Sequence, residues 1–488
     1  MIRSHRLDGA AYMRSASPAV LAFCLSLLLS AIAYLDDPVI NRDGILYIDT
    51  ARIFLKDGFV ATIRHFDWPW FSMLIGAGHW LTGLPLDLWA RLWCALFMAG
   101  TCYLLVVSVQ ARLPQAGYWA CLAALAMPAF NQFRGEVLRE FGFWFFAVLA
   151  LRLVQRWQEQ PAWLAAACVH LAILAAAAFR LEAVVLIPAL FLWQAAEAVR
   201  SRNWQGFLQL NALPLLGLTA GLVWFLAAGE GVHGRLARYL KLINPLGIAA
   251  EFEEVSRVFG DAVLKRFSRE DAGVILFFGA LAAVFLKFAK LLGPFAVPFL
   301  FKGARAEARR QGREHRPALW IWLLYFVMIM LFFIRRQYFI SRWVSFLDLL
   351  FVPLAAVAML WLYENHRRLA KVLVVVSLIV MFDNVVSLSA KKTHYIEAGK
   401  WLSANLRAGE SIYYDDPRIS YYAGWGFPRK QIKRAAALSP EHAGNYKYFV
   451  LEARADDPAF QEWLQQRQKR VLADFANKKG STVLVIGD

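Results

Sequence analysis

The chain has 488 residues, of which 59% are hydrophobic and 18% charged, and its mean hydropathy is +0.44. A soluble protein of this length carries more charge, and apolar runs such as 18–35 and 274–292 are long enough to cross a bilayer core, so the composition is that of a membrane protein. The net charge of +17 sits largely in short loops between apolar runs, and no RNA- or DNA-binding motif accompanies it; it reads as a positive-inside signature, and no nucleic-acid partner is expected.

In chain order, membrane spans are predicted at 18–35, 88–109, 117–130, 141–155, 162–178, 182–198, 207–228, 273–292, 318–334, 343–362 and 369–389. The first follows Arg3, Arg6 and Arg14 and contains Ala31-Ile32-Ala33, the form of a signal-peptide cleavage site; its length and the spans behind it read as an uncleaved first helix. Cys24, Cys94, Cys102, Cys121 and Cys168 all lie inside apolar runs and form no C-x-x-C, so they are expected to pack rather than to form disulfides or bind zinc. Gly217 and Gly221 form a G-x-x-x-G, which predicts a close helix contact.

A cytoplasmic N-terminus places three basic loops inside: 199–206, 293–317 with Arg305, Arg309, Arg310, Arg313 and Arg316, and the loop with Arg367, Arg368 and Lys371. Three large segments then fall outside: 36–87, 229–272 with amphipathic stretches around Tyr239 and Val258, and 390–488. In the last, Ser411–Tyr414, Tyr446–Leu451 and Thr482–Ile486 predict strands and Pro458–Arg470 a helix, a small α/β domain. The expectation is a polytopic α-helical protein of the cytoplasmic membrane with about eleven transmembrane helices. Its membrane domain is 1–389, with interfacial helices in the loop 36–87, and its extracytoplasmic α/β domain is 390–488.

Chemistry is concentrated at the predicted outer edge. If 43–57 is helical, Asp43, Tyr47, Ala51 and Phe54 share a face, bringing a carboxylate and a phenol together; an N-capping aspartate on an interfacial helix is the simpler account of the same residues. Asp36 and Asp37 abut the end of the first span and Pro38 and suit a structural or headgroup role better. Arg134, Arg139 and Glu140 crowd the mouth of the fourth span, and Arg180 and Glu182 that of the sixth, where surface ion pairing is the competing reading. Arg335, Arg336, Tyr338 and Arg342 lie between the ninth and tenth spans. Arginine costs about 2.5–3.5 kcal/mol at the membrane centre and less at its edge. An anion is expected to compensate these three; a lipid phosphate gripped by guanidinium forks is the natural partner, and snorkelling to ordinary headgroups the alternative. Asp348 falls inside the tenth span, with Arg342 and Arg91 as candidate partners. No G-x-x-x-x-G-K-[ST], H-E-x-x-H or G-x-S-x-G is present.

These pieces, in this order, resemble the GT-C superfamily of membrane glycosyltransferases, most closely family 39 with its protein O-mannosyltransferases and lipid A aminoarabinose transferases. The matching positions are Asp43, Tyr47 and Ala51 after the first span, Pro69, Gly83 and Arg91 toward the second, Glu140 at the fourth, and Arg336, Tyr338 and Arg342 before a late span. Trp401, Tyr421 and Tyr422 sit in a similar closing domain. The sequence departs at Gly44, where the family commonly has glutamate, and at Trp68, where it commonly has a lysine before paired prolines. The resemblance implies inverting transfer from a polyprenyl-phosphate sugar to an unidentified glycan, lipid or protein acceptor outside the membrane. Asp43 would be the general base, Glu140 a second catalytic acid residue, and Arg335, Arg336, Arg342 and Tyr338 the donor-phosphate contacts, with Tyr47, Arg134 and Arg139 nearby. Two arginines balance a single phosphodiester charge, so no metal is required, although a divalent ion would be compatible. The rival readings are a secondary transporter using Asp348 as an ion site, and a non-catalytic assembly subunit.

Overall fold

The computed structural model describes residues 17–227, 245–313, 315–386, 389–428, 432–454 and 456–488. The predicted roles of Arg3, Arg6, Arg14 and Tyr239 therefore lie outside the described residues. Two compact units emerge. One takes in the chain up to Leu28, Leu96–Phe133 and Glu140–Asn384; the other takes in Leu29–Ala95, Arg134–Arg139 and Val385–Asp488.

The first unit is helical. Among the described residues, six helices are long and apolar enough to cross a bilayer: Pro18–Asp36, Leu86–Gln110, Leu181–Ser201, Ala272–Leu300, Arg316–Arg336 and Ser341–Asn365. Helices also occupy Glu140–Glu159, Trp163–Phe179, Trp204–Ala227 and Arg367–Val385. The predicted span 117–130 is broken into the helix Gly117–Ala126 and the short helix Pro128–Asn131. The break is at Met127, whose extended backbone (φ −66°, ψ 129°) is what a following proline, Pro128, favours. Ser341–Asn365 is the central helix, 83% buried over its apolar window against 22% for Ala272–Leu300. Phe346 on it meets Phe143 at 4.5 Å and Tyr325 at 4.7 Å between ring centroids. The peripheral helices keep Leu171, Leu174, Phe278, Leu286 and Ile379 exposed, as a lipid-facing surface requires. For Gly217 and Gly221 a tight crossing is expected from the sequence, but a Cβ built on either meets nothing within 4 Å among the described residues, so none of those residues packs closely on the motif.

The second unit carries a four-stranded sheet in the order β1-β2-β4-β3, with β1 Ile412–Tyr414, β2 Tyr448–Glu452, β3 Arg470–Ala476 and β4 Thr482–Gly487. β1 runs parallel to β2, and β4 is antiparallel to both β2 and β3. The central strands, Phe449-Val450-Leu451 and Val483-Leu484-Val485-Ile486, are aromatic and β-branched and buried on both faces. Alternate residues feed two cores. Val450, Val483 and Val485 pack with Tyr395, Leu402, Ile419 and Val39; Phe449, Leu451, Leu484 and Ile486 pack with Phe460 and Leu464. Val39 comes from the segment after the first helix, so that core is not made by C-terminal residues alone. The predicted helix 458–470 ends at Gln466, and β3 follows as an edge strand with a bulge between Val471 and Ala473. The cysteines are all unbridged, and three of them are buried.

Candidate functional site

In the second unit the site is built around the start of the helix Arg42–His65. Asn41 stands at its N-cap but does not cap it. Its side chain instead accepts from the Val137 amide at 2.8 Å and donates to the Val137 carbonyl at 3.3 Å, strapping the segment Arg134–Arg139 to the helix entrance. Gly44 makes the strap sterically feasible: a Cβ there would stand 2.8 Å from the Val137 Cβ and 2.7 Å from Asn41 Oδ1. Arg139 consequently reaches Tyr47, donating from Nε to the phenol at 3.0 Å. Its guanidinium lies 5.3 Å from the Tyr47 ring centroid and 5.2 Å from that of Phe66, between two aromatic faces. Tyr47 is buried, with its ring edge on Phe71, so the phenol is a fixed anchor. Asp43 lies in the first turn of the same helix, half-buried, where the helix dipole favours a carboxylate. Beyond Asp43 the face continues as expected through Tyr47 and Ala51, both buried, and the helix bends at Gly58, whose φ of 78° is left-handed.

The other residues of this unit hold the frame. Arg91 donates to the carbonyls of Pro38 (2.7 Å) and Tyr34 (3.2 Å) at the end of the first helix, and its guanidinium packs on the Tyr34 ring. Arg134, fully buried, donates to the Ser30 hydroxyl at 3.1 Å. Asp36 pairs with Lys391, and Asp37 accepts from the Val39 amide at 3.0 Å, the structural roles expected of them. Pro69 and Gly83 bracket the helix Trp70–Thr82, with Gly83 left-handed (φ 72°) as its C-cap. The Tyr422 phenol accepts from the Ile40 amide at 2.7 Å, and Trp401 packs against the sheet core. Burial pushes the Tyr421 phenol up to about 12; Asp87 adds to this and Arg52 opposes it.

Sequence reasoning passed over Asp49 and His65. Asp49 is 7% exposed, its Oδ1 bonded to Arg52 at 3.1 Å and its Oδ2 3.8 Å from His65 Nε2. A Cβ on Gly426 would come within 2.9 Å of Asp49 Oδ1, so this carboxylate joins the helix to the loop after Tyr422. The only signal in the sequence was an acid on the buried side of an amphipathic helix. In sequence, Arg429-Lys430-Gln431-Ile432-Lys433-Arg434 is a basic cluster expected to meet an anionic surface, of lipid headgroups or of the acceptor, with a solvated loop as the alternative; its Arg429, Lys430 and Gln431 lie outside the described residues. Arg434 is a structural residue, bonded to Asp415 at 3.0 Å and to the Glu452 carbonyl at 2.7 Å.

In the first unit the acids and arginines form ion pairs. Glu140, 3% exposed, opens the helix Glu140–Glu159 and meets Arg180 at 2.6 Å and Arg342 at 3.6 Å; Arg180 also binds Glu182. The pairing expected at the surface is thus a buried one. Arg335 bonds Glu251, at 2.6 and 2.7 Å, on the amphipathic helix Pro245–Val263. Arg336 and Tyr338 are exposed. Much of the anionic compensation expected for this cluster therefore comes from protein carboxylates, Glu251 and Glu140. Asp348 is completely buried, and neither oxygen of its carboxyl group has a hydrogen-bond partner among the described residues. Among those residues no three His, Cys, Asp or Glu side chains converge as metal ligands.

The described residues form a multi-pass helical chain closed by a small sheet domain, with an aspartate at the entrance of the helix that follows the first span. Solved structures carry the same fold over almost the whole chain. The crystal structure of ArnT from Cupriavidus metallidurans in the apo state superposes with a TM-score of 0.58 at 14% identity, covering 98% of each chain. The same protein bound to undecaprenyl phosphate gives 0.56 at 12% identity, again covering 98% of each. No protein-family model and no curated protein matches the sequence.

Proposed function

We propose that this chain is a glycosyltransferase that moves a sugar from a polyprenyl-phosphate donor to an acceptor hydroxyl at the outer face of the cytoplasmic membrane. The observation that carries the reading is the likeness, over 98% of both chains, to a structure that holds undecaprenyl phosphate. In this reading the acceptor oxygen bonds to the anomeric carbon as the bond from that carbon to the phosphate oxygen breaks. The electron pair leaves with the polyprenyl phosphate, and the acceptor proton passes to Asp43. Attack opposite the leaving group inverts the anomeric centre. Phosphate is a good leaving group, so a half-buried carboxylate suffices as base, and its charge also stabilises the positive sugar ring.

Arg139 is assigned to the donor phosphate. Its Nε is occupied by Tyr47 and its plane by two rings, and no carboxylate partners it among the described residues, which leaves a preorganised fork with its charge uncompensated. The Arg335 charge is offset by Glu251 and that of Arg342 is shared with Glu140, so neither is assigned to the phosphate. Glu140 is given the role of holding Arg180 and Arg342 in place.

The test is transfer by the purified full chain in proteoliposomes supplied with a panel of labelled polyprenyl-phosphate sugars and envelope extract. Label should leave the donor for an acceptor, with polyprenyl phosphate released in equal amount. Solute-driven uptake without donor turnover would overturn the reading in favour of a transporter.

A further inference from the structure

The basic loop predicted to face the cytoplasm folds into the helix Lys302–Gly312 and leads into the next helix at Arg316. Two cavities open beside it, both within the first unit. One, of about 410 Å³, has Arg305, Arg309, Arg313 and Arg316 at its rim and Leu319, Phe351 and Leu354 as an apolar wall. The other, of about 300 Å³, is polar, with Gln158, Gln194, Ser201 and Asn203 among its lining residues. Arg313 and Arg316 line both. Each is within the roughly 300–1,000 Å³ of small-ligand sites.

Charge in this pair of cavities is unbalanced. Among the described residues Glu197 is the single acid lining either, and it binds Arg316 at 2.7 Å. Glu307, the only acid on the helix Lys302–Gly312, is taken by Arg310 at 2.5 Å outside the cavities. Arg305 is fixed by the carbonyls of Phe299 (2.7 Å) and Leu300 (2.9 Å), contacts that leave its charge intact. Arg309 and Arg313 are exposed and have no acidic partner among the described residues. A cationic rim between an apolar wall and a chamber of amides and hydroxyls matches one chemistry in three parts. It fits a phosphodiester at the arginines, acyl chain on Leu319, Phe351 and Leu354, and a hydroxylated headgroup in the polar chamber.

We propose that these two cavities form a binding site for an anionic glycerophospholipid with a polyol headgroup, drawn from the leaflet that the positive-inside rule makes cytoplasmic. The site does not depend on the glycosyltransferase reading. A water-soluble phosphate would leave the apolar wall unused, and a zwitterionic lipid would bring a second cation to a rim already in excess of positive charge.

The test uses the full chain in detergent, with lipid retention read by native mass spectrometry against phosphatidylglycerol and phosphatidylcholine. Phosphatidylglycerol should be retained preferentially, and the preference should weaken with salt. Arg309→Gln and Arg313→Gln, at exposed positions, should each cost roughly fivefold in that preference and about thirtyfold together, while R309K/R313K keeps most of it. Equal retention of the two lipids, or a preference that survives R309Q/R313Q, would overturn the proposal. Full displacement by glycerol 3-phosphate would also overturn it, assigning the site to a soluble anion.

Discussion

Two groups of arginines, one in each compact unit, differ in their partners, although Arg52, Arg418 and Arg434 of the second unit also meet carboxylates and Arg305 of the first meets carbonyls. In the unit that holds Asp43, Arg91 bonds backbone carbonyls, Arg134 a serine hydroxyl, and Arg139 a phenol and two ring faces. In the helical unit, Arg180 bridges Glu140 and Glu182, Arg335 is bonded to Glu251 and Arg342 lies close to Glu140. Neutral partners fix a guanidinium without cancelling its charge, whereas carboxylates do both. Position along the chain therefore does not tell which arginine awaits an anion, but the company it keeps does.

The sharpest test of this contrast is at Asp43. Asp43→Asn keeps the shape, so the protein should still bind donor while transfer falls by about 10²–10⁴, the usual worth of general-base help. Near-normal transfer in Asp43→Asn, with loss in Asp36→Asn or Asp37→Asn, would move the base elsewhere.

Next comes the contrast itself. Arg139→Ala should weaken donor use roughly 10- to 100-fold, the range for a lost charge-assisted hydrogen bond, and Arg139→Lys should recover only part. Arg335→Ala should change donor use by a few-fold at most, since a partly exposed ion pair with Glu251 is worth about 0–1 kcal/mol. Donor titrations giving the reverse order would break the comparison. Gly44→Val should destabilise the chain by about 1–3 kcal/mol through overpacking against Val137, and should lower transfer by displacing Arg139; denaturant midpoints and donor affinity read the two effects separately.

The smallest effect is expected at His394, completely buried, with neither ring nitrogen hydrogen-bonded among the described residues. Burial holds its imidazole below the ordinary value near 6.5, only partly offset by Glu452. The unfolded chain takes up this proton first. Stability is therefore full above the ordinary histidine value and falls as pH drops through it, by at most about 1.4 kcal/mol per pH unit for one proton. His394→Phe should flatten thermal midpoints between pH 7 and pH 5; an unchanged slope would assign the acid sensitivity to another group.

Much of the fold was legible because a bilayer core imposes long apolar runs, and the strands at 412–414, 448–452 and 482–487 were marked by short aromatic and β-branched clusters. β3 was hidden because an edge strand is half exposed and short of β-branched residues. Asp43, Tyr47 and Arg139 could be singled out by spacing and by resemblance, but their joining could not, because it depends on Asn41 forgoing its cap to hold Val137, 96 residues away. Gly44, a departure from the family pattern in sequence, is in the fold the space through which that segment passes. The partners of Arg335 and Arg342 were equally invisible, since Glu251 and Glu140 are far from them in the chain.

The place of Val39 in the sheet core sets a timetable for synthesis. Val39 packs with Tyr395, Ile419 and Val485, so its partners emerge from the ribosome only after roughly 350 to 450 further residues. At about 5–20 residues per second, that is a wait of roughly 20–90 s. Throughout it the segment around Val39 and Ile40 has its apolar side chains made and its packing partners missing. Chaperones and proteases act on such intermediates, and the helix entrance that presents Asp43 acquires its final support only when β4, the central strand, has been made. A newly made copy therefore becomes competent late and all at once, and truncations that remove β4 should leave the early segment exposed rather than partly working.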